Sequence, residues 1–384
     1  MKKLICLFLS CAIVFCCTIS ALSANESSFI SAESALESMI VSETQNLLRA
    51  IEPEKELYGM GQVNFSNLKL GKQIPVYSYT TGGAVLDNST RYYPILDGSK
   101  WVATATVSIN ESNVPIIQVS SEYAEDFTAE FSDTAEIALL FDANSAYIVS
   151  NEKTALAAIA PINDHTKTTY VQSKNALSLE FTGIKASYDL SLTSQNANVS
   201  RNADYYCYLP VPCIKQPTGS NACWAACIAA IRTYYGTETT IDNVYDFSGK
   251  TKYEGASNPQ ASNFLESYGF EVTWYYDNLF SWNTLRYYIS SYSNPIYAGV
   301  SYDVNNNGTP DGGHAIVIRG YYVYQNIDDY IGQISYMDPL SGKYVVSNVS
   351  SESDLKYNAS GSNVSHDIDA FLVVDSPVED ESTE

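Results

Sequence analysis

The sequence predicts an α+β protein in two parts: an α+β domain with a mostly antiparallel sheet over residues 25–189, then a second domain over 207–375. In the second, a helical half packs on an antiparallel β half. Three observations carry this. The chain has 384 residues, too many for one ordinary domain. Hydrophobic residues make up 45% and charged residues 17%, enough to bury sizeable cores and unlike a disordered chain. Each part also places helical periodicity ahead of a series of short strand-like runs.

The elements follow in order. Met1-Lys2-Lys3 is a positive start, Leu4 to Ile19 carries no charge, and Ser20 to Ala24 are mostly small. Residues 1–24 therefore read as a secretory signal peptide cut near Ala24, and the expected location is extracellular. No later stretch approaches ~18 consecutive apolar residues, so no membrane span is expected after signal removal. A helix is predicted over Ser34 to Ile51, with Ala32, Ala35, Leu36, Met39 and Ile40 on one side. Strands are predicted at Ile74 to Tyr79, Trp101 to Ile109 and Val114 to Val119. A second amphipathic helix is predicted over Ala124 to Leu140, then strands at Ala146 to Val149 and Leu177 to Phe181. This part has no Cys and one His, His165, in a polar loop where a surface role is expected. It shows no chemistry of its own.

Residues 190–206 are polar and rich in Ser and Asn, which reads as a linker. Leu209-Pro210-Val211-Pro212 then begins the second domain in extended form, because each Pro disfavours helix in the residue before it. Pro217 and Gly219 make a loop, and Asn221 is placed to cap a helix running to about Tyr235, with Gly236 at its end. Asn258-Pro259 starts another helix with Phe264, Leu265 and Tyr268 inward, and Trp282, Leu285 and Ile289 mark a third. Strands are predicted at Pro295 to Tyr302, His314 to Tyr324, Gln333 to Met337 and Lys343 to Val349. Ala370 to Val374 is a further apolar strand, and residues 376–384 form an acidic tail.

Charge narrows the function. Lys and Arg number 21 against 43 Asp and Glu, a balance of −22. Nucleic acid and anionic membrane surfaces repel such a chain, so neither is an expected partner. The imbalance is shared: residues 25–200 carry 10 basic and 21 acidic side chains, residues 201–384 carry 9 and 22. Any docking of the first part on the second must rest on apolar and aromatic contact, for which 31 tyrosines are suited.

Four of the eight cysteines leave with the signal peptide, and Cys207, Cys213, Cys223 and Cys227 remain. Their spacing holds no C-x-x-C pair and no His lies nearby, so a zinc site is not expected; a Cys207–Cys213 disulfide stays open. Cys223 falls in the first turn of its helix, where aligned peptide dipoles favour a negative sulfur. That is a place for a nucleophile. Cys227, one turn deeper among Ala226, Ala230 and Ile231, reads as a small core residue. A thiolate needs an acid–base partner, and Gly312-Gly313-His314 leads straight into the apolar run Ala-Ile-Val-Ile. His366 competes, but lacks the glycines; a structural role for His314 would give the same local pattern. Asp338 ends a strand just before Pro339 and could orient the imidazole, or merely start the turn. The segment Asp303 to Asp311 copies the first part of an EF-hand loop, yet His314 stands where the twelfth-position Glu should be. It reads as a polar loop and no metal or cofactor is expected, with calcium, which would brace the loop before His314, as the alternative.

These residues give the chain a family resemblance. Gln216…Cys223-Trp224-Ala-Ala, Gly313-His314-Ala-Ile-Val-Ile-Arg-Gly320 and Tyr336-Met337-Asp338-Pro339 together resemble a papain-fold bacterial cysteine peptidase. The group in question includes bacteriocin-leader peptidase-like proteins, staphopains and the AvrRpt-type effector protease. The resemblance implies Cys223 as nucleophile, His314 as general base and then acid, and Asp338 as the residue that orients it. It implies an oxyanion hole from the Gln216 side chain and the Cys223 backbone N–H. Gln216 stands seven residues before Cys223, one more than is usual in the family, and the Gly219-Ser220 loop takes up the extra residue. The implied protein is a secreted endopeptidase made as a precursor, acting on protein or peptide substrates, with the N-terminal domain as an intramolecular inhibitor or accessory module. Two other classes fit the same residues: a papain-fold acyltransferase or isopeptidase, and a catalytically silent peptide-binding protein.

Overall fold

The computed structural model describes residues 34–80, 83–88, 90–109, 115–121, 124, 136–141, 145–150, 157–161, 179–183, 186–192, 205–276, 285–302, 312–323, 332–349, 356–358 and 365–374. The expected signal peptide and acidic tail, His165, Trp282 and the Asp303 to Asp311 segment lie outside them.

Residues 34–51 form the predicted helix, but its inward face differs from the one the periodicity picked. Ile40, Thr44, Leu47 and Ile51 make the buried stripe, with Leu48 beside it, while Met39 remains 44% exposed. Spacings of three and four residues keep that stripe on one side of the helix. Burial of Leu47, Leu48 and Ile51 contributes roughly 1.5–3 kcal/mol each.

Strands follow in both parts. In the first they are β1 (Leu68–Gly71), β2 (Val76–Thr80), β3 (Gly83–Leu86), β4 (Thr90–Asp97), β5 (Lys100–Ile109), β6 (Pro115–Ser120), β7 (Glu136–Phe141), β8 (Ser145–Ser150), β9 (Ala157–Pro161), β10 (Thr182–Gly183) and β11 (Ala186–Asp189). In the second they are β12 (Tyr205–Tyr208), β13 (Val272–Tyr276), β14 (Ile296–Tyr302), β15 (Gly312–Val323), β16 (Gly332–Asp338), β17 (Lys343–Val349), β18 (Lys356–Asn358) and β19 (Ser365–Val374). The fold is α+β with antiparallel pairing almost throughout, as the sequence predicts. Among the described strands the one parallel pair is β2 with β7.

Two predictions fail. Residues 179–181, the described end of the strand expected over Leu177 to Phe181, are not in a strand, and β10 begins only at Thr182. Residues 136–140, expected as the end of a helix, are strand β7. Ile137, Leu139 and Phe141 enter one apolar cluster and Ala138 and Leu140 another, so both faces are buried. A strand covered on both sides shows no alternation, and its apolar run passes for a helix segment.

The larger sheet runs in the order β11-β1-β4-β5-β6-β17-β16-β15-β14-β19-β13, with β12 on β15 and β18 on β19. It crosses between the two parts at β6 and β17, where Val119 pairs with Val346 and Gln118 with Ser347. The Asn348 side chain extends the seam by accepting the N–H of Ile117. The apolar core is likewise shared: Leu47, Tyr58, Ile117 and Val119 belong to one cluster with Val211, Trp224, Ile316 and Val346. The stretch read as a linker is anchored at both ends. The Leu190 and Leu192 N–H groups donate to Leu68 and Phe65 carbonyls, at 2.9 and 3.1 Å, and Tyr205 opens β12. Residues 193–204 lie outside the described set.

The helices of the second part are Cys223–Tyr234, Ile241–Ser248 and Asn258–Ser267. The middle one was not read from the sequence, although Thr240 and Asn243 form a capping box and Gly249 closes it at φ 68°. The third predicted helix is a short turn in which Leu285 and Ile289 are fully buried, ending in the π-type segment Tyr287–Ser291.

Candidate active site

Cys223 is the first residue of its helix. The residue at the cap is Ala222, not the expected Asn221, and it offers no side-chain acceptor. Asn221 is used elsewhere: its Nδ2 donates to the Tyr253 carbonyl at 2.8 Å and its N–H to that of Lys252 at 2.9 Å. These bonds tie the Cys loop to the neighbouring loop and leave the first-turn N–H groups without a capping side chain. Trp224 fixes the helix start from the other side. Its Nε1 donates to the Glu254 carbonyl at 3.0 Å, and its ring lies 5.4 Å from Phe264 and 6.0 Å from Tyr245. Beyond it, Ala225, Ala226, Cys227, Ala229 and Ala230 are fully buried. Small side chains let this helix sit close against its neighbours on every side. Burial pushes the Cys227 thiol well above its usual range, as fits a core residue. All four described cysteines are free, Cys207 and Cys213 included.

His314 lies near the start of β15 and Asp338 at the end of β16. Val317 faces Met337. Continuing that register by one pair sets Asp338 opposite Ile316 and diagonal to His314, on the same side of the sheet. The side chains meet: His314 Nε2 is 3.0 Å from Asp338 Oδ1. That oxygen also accepts the Leu340 N–H at 2.9 Å, and the Asp338 carbonyl accepts that of Gly342 at 2.7 Å. The Pro339 turn thus holds the carboxylate in place, so the turn and the orienting roles coexist. Asp338 is fully buried and His314 is 8% exposed. Burial alone would lower the imidazolium pKa, but hydrogen bonds to Asp338 and Cys223, and their charges, push it up to about 10. His314 is thus joined to Asp338 by a hydrogen bond and coupled electrostatically to Cys223.

Gln216 is also brought to this region. Its N–H donates to the Pro339 carbonyl at 2.8 Å, just past Asp338, and its Nε2 to the Ser220 carbonyl at 2.9 Å. The Ser220 N–H returns to the Pro217 carbonyl at 3.2 Å, with Gly219 at φ 72°, the positive value a tight turn of this kind requires. An amide nitrogen has two hydrogens, so Nε2 keeps one beyond the Ser220 bond.

The His366 backbone stands apart from that of His314. His366 lies on β19, and both β15 and β19 flank β14, where Val300 pairs with His314 on one side and Ile368 on the other. Its backbone is thus about two strand spacings, roughly 10 Å, from the His314 strand. One residue escaped the sequence reading altogether: Arg319, fully buried in β15. The signal was there, a single charge within the apolar run Ala315-Ile-Val-Ile-Arg319-Gly320.

Residues 208–364 match the family model described as Peptidase_C39 like family. That segment contains Gln216, Cys223, His314 and Asp338, and the match is consistent with the cysteine peptidase fold that the motifs led one to expect. No curated protein matches the chain. Among solved structures it is similar to the peptidase domain of Streptococcus ComA, a bi-functional ABC transporter involved in a quorum sensing pathway. The identity is 16%, covering 36% of this chain and 96% of that domain, with a TM-score of 0.23. It is also similar to a protein from Bacillus anthracis described as a C39-like peptidase, at 13% identity, 38% and 99% coverage and a TM-score of 0.26.

Proposed function

We propose that this chain is a secreted cysteine endopeptidase that hydrolyses peptide bonds through a thioester on Cys223. The observation that carries the reading is the buried His314–Asp338 pair, with Nε2 and Oδ1 3.0 Å apart, and the half-buried Cys223 coupled to its imidazole. With Nε2 held by Asp338, Nδ1 is the ring nitrogen left for the thiol. Imidazole takes the thiol proton, and Sγ attacks the scissile carbonyl carbon. The tetrahedral oxyanion accepts hydrogen bonds from the remaining Gln216 Nε2–H and the Cys223 N–H, which a helix start leaves without an intrahelical acceptor. As the intermediate collapses, the C–N bond breaks and His314 returns its proton to the leaving amine. Water, deprotonated by the same imidazole, then releases the acid and regenerates the thiol. Asp338 stays ionised and keeps the ring in register.

The test is turnover of a peptide mixture by the full chain and by Cys223→Ala, with products weighed. Cleavage adding one water, lost in the variant, supports the reading. Products joined to an added amine instead would make the protein a transferase. Binding of peptides without turnover would make it a silent receptor.

A further inference from the structure

We propose that Glu54 and Tyr58 are positioning residues for the His314–Asp338 pair. The N-terminal half is then a permanent scaffold of the site and not a removable restraint. The inference rests on the peptidase reading above. It begins at Arg319, five residues after His314 on the same strand. The register between β15 and β16 shifts between Ile318 and Gly320, so Arg319 is the additional residue of a β-bulge. A bulge fixes which residues face each other, and a slip of one residue would turn Asp338 to the other side of the sheet. Gly320 is also held in place: a Cβ there would stand 2.4 Å from the Cys207 carbonyl oxygen and 2.3 Å from the Tyr208 ring.

What holds the bulge comes partly from the N-terminal half, through Glu54 and Tyr58. Arg319 Nε donates to Ser335 Oγ at 3.0 Å, three residues before Asp338, and its Nη1 donates to the Leu209 carbonyl at 3.0 Å. Its Nη2 donates to Glu54 Oε2 at 2.5 Å and to the Tyr58 hydroxyl at 3.4 Å. The Tyr58 hydroxyl is itself 2.8 Å from Ser335 Oγ. Tyr58 therefore touches both the His314 strand and the Asp338 strand at the bulge. Rings of Tyr344, Tyr208 and Tyr58 enclose the guanidinium at 3.8, 5.0 and 5.8 Å. Among the described residues, Glu54 is the carboxylate within ion-pair distance of it. Without Glu54, a buried guanidinium would sit beside the strands that carry the site with its charge uncompensated. The Lys343 Nζ to Ser121 Oγ bond at 3.3 Å and the β6–β17 seam brace the next strand from the same half.

The experiment measures iodoacetamide alkylation of Cys223 against pH in the full chain, alongside kcat and KM on a cleaved peptide. The variants are Glu54→Gln, Tyr58→Phe and, as a control on the same turn, Glu52→Gln. Positioning requires that Glu54→Gln and Tyr58→Phe lower kcat ~10- to 100-fold with KM little changed, the scale of a misplaced catalytic group. The pH profile of Cys223 alkylation should also move, and Glu52→Gln should match the parent. Parent-like alkylation profiles and kcat in both variants would overturn the proposal, whatever their melting temperatures. Faster turnover in either would make the contact a restraint. Should both variants fail to fold, proteolytic nicking within 193–204 of the parent decides. Fragments that co-elute with alkylation unchanged support a scaffold; fragments that separate while residues 205–384 keep their reactivity refute it. A parent Cys223 no more reactive than Cys213 would count against the peptidase reading alone, and nicking would still decide the scaffold.

Discussion

His314 and Asp338 meet diagonally across two neighbouring strands, Nε2 to Oδ1 at 3.0 Å, and the same carboxylate oxygen accepts a second bond from the Leu340 N–H. The carboxylate is thus oriented by the turn that follows it before it orients the imidazole. Its position does not depend on the histidine.

That independence makes the two Asp338 substitutions distinguishable. Asp338→Asn retains an acceptor for the Leu340 N–H and for the ring, so turnover should fall modestly. Asp338→Ala removes both acceptors and leaves buried donors unpaired, which costs about 1–3 kcal/mol of stability besides the activity. Kinetics and chemical denaturation of the two variants check the order. Equal losses in both would mean that charge, and not orientation, is what Asp338 supplies.

The pH dependence has a definite sign. The His314 pKa is raised in the folded protein from 6.5 to about 10. Its imidazolium therefore stabilises the fold fully below about 6.5, and that contribution is lost as pH rises through about 10. Denaturant unfolding of the parent should show stability falling across this window, and His314→Gln should flatten the slope. Stability that rises from pH 7 to 10 in the parent would contradict the pairing.

Much of the site was legible because each residue sits in a backbone context that local sequence reveals. Cys223 follows a Pro and Gly turn, His314 follows two glycines at a strand mouth, and Asp338 precedes Pro339. The helix and strand limits around them were close for the same reason. What escaped depends on contacts distant in the chain. Nothing near Arg319 announces Glu54, 265 residues away. Nothing in Pro115–Ser120 or Lys343–Val349 says that these strands join two parts into one sheet. The like charge of the two halves led to the expectation of apolar and aromatic docking, and gave no sign of the ion pair between Glu54 and Arg319.

The two helix cysteines should separate cleanly. Cys227→Ala should keep turnover and lose ~1 kcal/mol of stability, the scale of a small void in a packed core. Thermal melts and kinetics on the same preparation suffice. Loss of turnover with an intact fold would place the chemistry one helical turn deeper.

Gln216→Ala should lower kcat ~10²- to 10³-fold, the usual effect of removing one oxyanion donor. Alkylation of Cys223, which forms no tetrahedral oxyanion, should change little. A variant that loses both would show that Gln216 shapes the Ser220 turn and does not serve the reaction.

The most direct measurement is to treat the full chain with a thiol-directed epoxide inhibitor at neutral pH and map the adduct among Cys207, Cys213, Cys223 and Cys227. A single adduct on Cys223, formed in the parent and in His366→Ala but not in His314→Ala, is the result expected of a thiolate partnered by His314. Labelling spread over the exposed Cys213, or an adduct on Cys223 that forms equally well without His314, would contradict it.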